Sequence, residues 1–365
     1  MPLDTSANSP SPSPKHRLQA PPLGKTRAGV ALLLLLFIGG WWYSSQVRPP
    51  EAIALNGATM GTTYSVKFRE LPENMTATQV KAALDKMLVE INRQMSTFDP
   101  QSELSRFNSN PSTDWVPVSP ELLFVVREAQ RISEMTGGAF DITVGPLVNL
   151  WGFGPTFTND AIPSQQAIAE AQERVGYRHL QIREEPPALK KDRANMYVDL
   201  SAIAKGYAVD RLADYLESLG MDDYMVEIGG ELRVKGLNAQ GVPWRIAIEK
   251  PTPGQRSVER ILHLKHEGIA TSGDYRNFFE RDGQRYSHEI DPKTGQPIRH
   301  ELASVTVIDP STTTADALAT GLIVMGPTRG FELAERQGLA VLFITIHDGA
   351  FEEKGTTAFA PYRVD

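Results

Sequence analysis

The central stretch of the chain, residues 196–220, changes from the hydrophobic pattern of a strand to that of a helix. Residues 196–198 are apolar, as in a short buried strand. From residue 203 to residue 219 the apolar positions recur every three or four residues, which predicts an amphipathic helix that begins near Ser201 and ends at Gly220. Such a junction presents free backbone N–H groups and the positive end of the helix dipole, so it suits a phosphorylated ligand. An ordinary capped helix is the alternative interpretation.

The same patterns predict helices and strands along the rest of the chain. A loop is expected over residues 147–155, a strand interrupted at Gly229 and Gly230 over 225–235, and a final hairpin at 348–349. Strands come in adjacent runs rather than in strict alternation with helices, so we predict an α+β fold of antiparallel sheets with flanking helices. Further helices are predicted over 76–95, 102–107, 120–136, 162–175, 313–325 and 329–337, and further strands within 53–68 and over 179–183, 244–249, 261–264, 268–272, 286–290, 304–308 and 340–346.

The N-terminal part of the chain differs in composition from the remainder. Residues 1–27 are rich in Pro and Ser and are expected to be disordered. Residues 28–47 contain an uncharged apolar run with an aromatic end and basic flanks, and we predict an uncleaved single-pass anchor. The chain after it would lie outside the inner membrane, on the periplasmic side of a Gram-negative bacterium. A cleaved signal peptide is the competing interpretation. Residues 48–56 are predicted as a linker and 57–365 as the catalytic domain.

Charge and cysteine content exclude several classes of function. The 365 residues carry a formal net charge of −7, but residues 1–48 carry a net +4, which leaves −11 for the remainder. A body this acidic is a poor nucleic-acid binder, because affinity for phosphate backbones comes from clustered Lys and Arg. The absence of cysteine excludes disulfides, thiolate metal sites, a cysteine nucleophile and lipid attachment through cysteine.

Asp316 and Thr320 are the first candidates for site chemistry. They lie four residues apart on a predicted helix and therefore share one face. One carboxylate with neutral oxygens and waters suits magnesium, particularly where ligand phosphates complete the octahedron. Considered alone, Asp316 could instead cap or solvate the helix, and Thr320 could bond to its own backbone.

Three other segments could contact a ligand. His288 stands at a strand end beside a tight turn and could act as a base, although a lone strand histidine is more often structural. In residues 136–146, two glycines precede Phe140 and Asp141, which offer ring contact and a hydrogen-bond acceptor; a helix end followed by a strand explains the glycines equally well. Met60 could border an apolar ring system or simply pack in a strand. The sequence contains neither a P-loop nor a strand-linked GxGxxG.

Taken together, the motifs between residues 57 and 326 resemble the ApbE family, the FAD:protein FMN transferases. The resemblance implies a magnesium-dependent enzyme that cleaves FAD at its pyrophosphate, moves FMN onto a threonine hydroxyl of a protein and releases AMP. It also implies two related lobes that enclose FAD. The acceptors of such enzymes are membrane redox subunits, for example of sodium-pumping NADH:quinone reductase or Rnf-type complexes. The motifs are, in order, MGTTY, MSTFDPQSELSRFN, TGGAFDITVGPLV, VDLSAIAKGYAVD, VEIGGEL, ATSGDY, HEIDPKTG and ADALATGLIVMG.

The resemblance also assigns residues to roles. His288 corresponds to a proposed base, and Ala202 (through its carbonyl), Asp316 and Thr320 correspond to magnesium ligands. Phe98 stands where many relatives have Tyr, so ring stacking is kept but a hydroxyl contact is lost. The positions that correspond to FAD contacts are Met60, Phe98, Ala139, Phe140, Asp141, Asp199, Lys205 and Ile290.

The mode of membrane anchoring is a second departure from the family's pattern, and two kinds of alternative function stay open. Many members are lipoproteins anchored through cysteine, and the apolar run at residues 28–47 would replace that anchor here. A magnesium-dependent FAD pyrophosphatase, which uses water in place of the protein hydroxyl, is the nearest alternative function. A non-catalytic flavin-binding protein is the alternative from another class, and a binding protein for another nucleotide is the weakest.

Overall fold

The computed structural model describes residues 52–155, 161–251, 258–275, 277–347 and 349–363. The predicted disordered segment 1–27, the predicted anchor 28–47, the first residues of the predicted linker and Asp348 of the predicted hairpin lie outside these ranges. No helix within them is long and apolar enough to cross a membrane. The described residues belong to one compact unit, Pro50–Asp365.

An eight-stranded antiparallel sheet forms the centre of this unit, and the predicted α+β architecture is confirmed. Its strand order is β1-β2-β6-β7-β10-β15-β16-β17, and four smaller sheets of two or three strands surround it. The strands are β1 (Ile53–Thr59), β2 (Thr62–Phe68), β3 (Val116–Pro117), β4 (Leu180–Arg183), β5 (Ala188–Lys191), β6 (Tyr224–Ile228), β7 (Glu231–Lys235), β8 (Trp244–Glu249), β9 (Val258–Leu264), β10 (Gly268–Gly273), β11 (Phe278–Arg281), β12 (Gln284–Ser287), β13 (Ile290–Asp291), β14 (Gln296–Pro297), β15 (Leu302–Asp309), β16 (Ala340–His347) and β17 (Ala350–Gly355).

Helices cover one face of the main sheet, and most begin at a side-chain cap. Thr76 and Gln79 form a capping box at the start of α1, Ser119 caps α3, and Ser311 caps α7. The α7 helix is buried almost throughout because it packs against β10, β15, α6 and α8. The helices are α1 (Ala77–Met95), α2 (Glu103–Ser109), α3 (Pro120–Met135), α4 (Gly145–Leu150), α5 (Gln165–Gln172), α6 (Ala204–Ser218), α7 (Thr312–Met325) and α8 (Pro327–Gln337), with short 3-10 turns at Tyr177–His179 and Thr357–Tyr362.

The sheet separates two apolar cores because alternate residues of each strand point to opposite faces. On β16, Val341 and Phe343 pack in the larger core with the helices, whereas Leu342 and Ile344 pack in a second core. The second core is covered by the β8–β9 ribbon and by Phe359. The main sheet is therefore buried on both faces at its centre.

Two predictions about the central junction are wrong in detail. Residues 196–198 are extended but form no strand, because the backbone of Val198 bonds to the side chain of Asn108, which donates to its carbonyl and accepts from its N–H. The helix begins at Ala204 rather than at a Ser201 cap. Ser201 instead donates its hydroxyl to Asp199 at 2.6 Å.

Several other boundaries also differ from the predicted ones. Residues 147–150 of the predicted loop belong to the short helix α4, which begins with Gly145–Pro146. Residues 53–56 of the predicted linker belong to β1. The expected interrupted strand is a hairpin, in which Gly229 and Gly230, both with positive φ, turn the chain between β6 and β7. A periodic pattern of apolar residues does not fix such boundaries, because each one depends on the strand or side chain with which the segment forms its hydrogen bonds.

Candidate active site

All twelve residues selected from the sequence line one cavity of about 1050 Å³. They come from distant parts of the chain: the β1–β2 turn, the loop after α1, the segment before α4, the start of α6, the β12–β13 connection and α7. The structure thus brings together every predicted position, while their individual roles remain predictions. The residues are Met60, Phe98, Ala139, Phe140, Asp141, Asp199, Ala202, Lys205, His288, Ile290, Asp316 and Thr320.

The contact between α6 and α7 sets the geometry of the predicted metal ligands. The Gly206 N–H donates to Asp316 Oδ2 at 2.9 Å; it belongs to the first turn of α6, where backbone N–H groups have no partner within the helix. A Cβ at position 206 would lie 2.3 Å from the Thr312 carbonyl oxygen, so only glycine allows the two helices to approach this closely. One turn further along α7, the Thr320 hydroxyl lies 3.1 Å from the Ser272 hydroxyl of β10.

A buried cluster of charged groups surrounds this contact. Lys205 Nζ lies 2.6 Å from Glu231 Oε2, and Glu231 and Asp316 are each only 4% exposed. Burial raises the pKa of Glu231 to about 7, against the opposing effect of the Lys205 ammonium. Burial likewise raises the pKa of Asp316 and of Glu289. Desolvation opposes the Lys205 charge, but Asp316, Glu231 and Glu289 together hold the pKa of Lys205 above its ordinary value.

The donor set fits a hard divalent cation. Three buried carboxyl groups, those of Glu231, Glu289 and Asp316, interact with the Lys205 ammonium, and a cation beside them would favour their charged forms. Carboxylate, hydroxyl and carbonyl oxygens are the ligands that magnesium prefers. Within the described part of the chain, no group of three or more His, Asp or Glu side chains is arranged to hold a metal ion. A cation here would therefore also need backbone, hydroxyl and ligand oxygens.

His288 lies between β12 and β13 with its ring held by the backbone. The Asn277 carbonyl oxygen lies 3.0 Å from His288 Nδ1 and also accepts the His288 backbone N–H at 3.1 Å. A carbonyl only accepts, so a ring proton belongs on Nδ1, and Nε2 is the nitrogen that could exchange a proton with a ligand. Nε2 lies 3.6 Å from Glu289 Oε1. This arrangement suits a general base.

The two aspartates expected to contact FAD differ in how fully the protein engages them. Asp141 accepts from Thr143 N and Oγ1 through Oδ1, at 2.8 and 2.6 Å, and from Tyr177 N through Oδ2 at 2.9 Å. Burial raises the pKa of Asp141 in spite of these bonds. Asp199 accepts from Ser201 through Oδ1. Asp141 therefore fixes its own turn, and Asp199 is better placed to accept a bond from a ligand through Oδ2.

Two apolar residues border the cavity at turns. Phe98 is 69% exposed and stands in a turn whose Phe98 and Asp99 N–H groups donate to Ser96 Oγ. Met60 has a φ of 49°, which is uncommon for a residue other than glycine, and it forms the β1–β2 turn with Gly61. An exposed aromatic ring and a residue with positive φ beside a cavity are features of ligand sites.

Among the polar residues that line the cavity but were not selected from the sequence, Glu231, Ser272 and Glu289 lie next to selected residues. Each lies in a motif that was recognised, VEIGGEL, ATSGDY or HEIDPKTG. The signal for them was therefore present, but a single carboxylate or hydroxyl in a strand has no periodicity that indicates a site. Glu231 and Ser272 contact Lys205 and Thr320, which are distant in sequence, whereas Glu289 directly follows His288.

Comparison with known proteins identifies the family. The ApbE family model matches residues 60–343. The chain belongs to the ApbE family. It is 50% identical over 333 residues to the FAD:protein FMN transferase of Vibrio cholerae, covering 91% of this chain and 98% of that protein. It is 40% identical over 343 residues to the FAD:protein FMN transferase of Escherichia coli K12, covering 93% of this chain and 97% of that protein.

Solved structures of ApbE proteins have the same fold. The flavin transferase ApbE from Vibrio cholerae superposes with a TM-score of 0.81 at 50% identity, over 86% of this chain and all of that one. The apo flavinyl transferase ApbE from Pseudomonas stutzeri gives a TM-score of 0.79 at 41% identity, over 87% of this chain and 98% of that one. The predicted family, the predicted fold class and the prediction of an enzyme are confirmed.

Proposed function

We propose that this ApbE protein is a magnesium-dependent FAD:protein FMN transferase. It moves FMN from FAD onto a threonine hydroxyl of an acceptor protein through a phosphoester bond and releases AMP. The observation that carries the proposal is that Asp316, Thr320, Ala202 and Lys205 all line one large cavity. The names of relatives that match over nine-tenths of the chain support it.

Asp316, Thr320 and the Ala202 carbonyl would hold the magnesium ion. Bound there, magnesium would neutralise negative charge that develops on the pyrophosphate oxygens. Lys205 adds a positive charge at the same place, and the α6 N-terminus adds its dipole. Phe98 at the rim would cover a flavin ring, and Asp199 would accept a hydrogen bond from FAD.

His288 would accept the proton of the incoming threonine hydroxyl at Nε2. The threonine oxygen then forms a bond to the FMN phosphorus, and the bond from that phosphorus to the AMP phosphate oxygen breaks. The electron pair of the broken bond leaves with AMP. Most of the acceleration would come from positioning and charge neutralisation, as in other phosphoryl transfers.

The site of action and the acceptor are part of the proposal. An anchor at residues 28–47 would place the catalytic domain at the periplasmic face of the inner membrane, near membrane redox proteins. Subunits of sodium-pumping NADH:quinone reductase or Rnf-type complexes are the acceptors that we propose to test. Protease treatment of spheroplasts that express the full chain should degrade the domain; protection would contradict this location.

The test of the activity is incubation with FAD, magnesium and a candidate acceptor, followed by intact-mass analysis of the acceptor. We expect a covalent FMN adduct and one AMP for each adduct. Release of FMN and AMP at the same rate without acceptor would favour the pyrophosphatase alternative. FAD that stays intact and bound in every mixture would favour a flavin-binding protein.

A further inference from the structure

Helices α6 and α7 are joined at a second place, one helical turn beyond Gly206. The Asp210 carboxylate, 8% exposed, accepts four hydrogen bonds from the first turn of α7. Oδ1 accepts from Thr312 N at 3.0 Å; Oδ2 accepts from Ser311 Oγ at 2.9 Å, Thr313 N at 2.9 Å and Thr313 Oγ1 at 2.7 Å. An acid on one helix thus caps the start of another.

This bond set is more than an ordinary cap. Helix α7 already has its own capping residue, Ser311, which accepts from Thr314 N. Asp210 adds a charge at the positive end of the α7 dipole, and Arg233 Nη1 at 3.4 Å balances that charge. The additional bonds all cross between two helices, so they fix one helix against the other.

The two junctions together determine the position of α7 along α6. Gly206 and Asp210 are one turn apart on α6, and their partners Asp316 and Thr313 are nearly one turn apart on α7. A slip by one residue would move α7 by about 1.5 Å along its axis. Magnesium requires near-ideal octahedral geometry with oxygens at about 2.0–2.1 Å, so it would not tolerate such a displacement.

We infer that Asp210 is a positioning residue for the cation site. By fixing α7 against α6, Asp210 holds Asp316 and Thr320 in register with the Ala202 carbonyl. The inference rests on the metal ligands of the proposed function. Asp210 does not itself line the cavity. Its effect would therefore be on the affinity for the cation, transmitted through α7.

The test is a titration of the full chain with Mn²⁺, in which binding is measured by electron paramagnetic resonance. ADP is present to supply phosphate oxygens. We expect Asp210→Asn to weaken Mn²⁺ binding by about tenfold or more, as for other groups that orient metal ligands. Thr313→Val, which removes one of the four donors, should weaken it by a smaller factor and serves if Asp210→Asn does not fold. Glu103→Gln is the matched control, because Glu103 caps α3 by accepting from Ser119 N away from the cavity.

The outcomes separate this inference from the proposed function. Unchanged Mn²⁺ affinity in both Asp210→Asn and Thr313→Val overturns the inference, as does an equal loss in Glu103→Gln at matched stability. Absence of Mn²⁺ binding by the unmodified chain overturns the metal assignment and the inference with it. A third outcome is that the unmodified chain binds Mn²⁺ but transfers no FMN, and that Asp210→Asn weakens this binding. That outcome supports the inference and refutes the proposed function.

Discussion

The backbone N–H of Gly206 donates a hydrogen bond of 2.9 Å to the buried Asp316 carboxylate, which lies 110 residues further along the chain. The bond exists because α6 and α7 approach each other too closely for any side chain at position 206. It gives this first-turn amide an acceptor and holds the Asp316 carboxylate at the start of α6. The geometry of the site therefore depends on how two helices pack, and the following predictions test that dependence.

Gly206→Ala should disrupt the site. The added Cβ would lie 2.3 Å from the Thr312 carbonyl oxygen and 2.8 Å from Asp316 Cβ, so the helices must separate. We expect a loss of about 1–3 kcal/mol in the free energy of unfolding and nearly complete loss of FMN transfer. The control is Gly220→Ala, where a positive φ costs stability but nothing lies within 4 Å of the added atom. Transfer at the control's rate by Gly206→Ala would contradict the role of the helix contact.

Asp316→Asn should remove activity without unfolding the protein. The amide oxygen can still accept the Gly206 N–H, but the charge that would hold magnesium is lost. Because a metal ion contributes several kcal/mol of charge stabilisation, we expect the transfer rate to fall by about a hundredfold or more. Rates are followed by intact mass, with urea unfolding as the stability check. Asp85→Asn, at an ion pair with Lys81 outside the cavity, should remain active.

Glu231 should make the folded protein less stable as pH rises. Its pKa is about 7 in the folded state against an ordinary value of 4.5. In that interval the folded state holds a proton that the unfolded state has released, so the free energy of unfolding falls as pH increases. In Glu231→Gln, the free energy of unfolding should fall less between about pH 5 and pH 8, as measured by urea unfolding without divalent cations. Part of the fall should remain, because the pKa values of Asp316 and Glu289 are raised as well. An equal or steeper fall in the variant would contradict the assignment.

His288→Gln should reduce the rate of transfer but not the affinity for FAD. A positioned general base contributes about 10²–10⁴ to the rate, so we expect a loss in that range. FAD affinity is measured by flavin fluorescence without divalent cations. His347→Asn, at an exposed histidine paired with Glu301, is the control. A His288 variant with a normal rate would remove the base from the mechanism.

Phe98→Ala should weaken FAD binding by about three- to tenfold, because an aromatic pair adds roughly 0.5–1.5 kcal/mol beyond burial. Phe98→Tyr should bind at least as tightly as the unmodified chain, since the ring is retained. Phe124→Ala removes another partly exposed ring, which contacts Tyr207 outside the cavity lining, and should leave binding unchanged. Equal affinities for Phe98→Ala and Phe124→Ala would exclude stacking by Phe98.

Much of the site could be predicted because its parts are local. The helix that carries Lys205 has a clear apolar period, the helix that carries Asp316 and Thr320 is an apolar run of helical length, and each motif keeps its residues within a turn or two. The ordered motifs then linked segments that no periodic pattern could link. All twelve selected residues line one cavity for this reason.

The remaining features depend on partners that are distant in sequence. Residues 196–198 look like a strand, yet Asn108 rather than a neighbouring strand satisfies Val198. Glu231 belongs to the site because Lys205 reaches it across the β6–β7 turn, and Asp210 acts on a helix that begins 102 residues later at Thr312. Burial and pairing of such charges follow from packing, which a single sequence does not specify.

The most direct test of the account is anomalous diffraction from crystals of the full chain soaked with FAD and Mn²⁺. The account predicts a manganese peak within about 2.2 Å of Asp316, Thr320 and the Ala202 carbonyl oxygen, in contact with the FAD pyrophosphate. A peak at another place, or FAD phosphates bound away from Asp316 and Thr320, would contradict it.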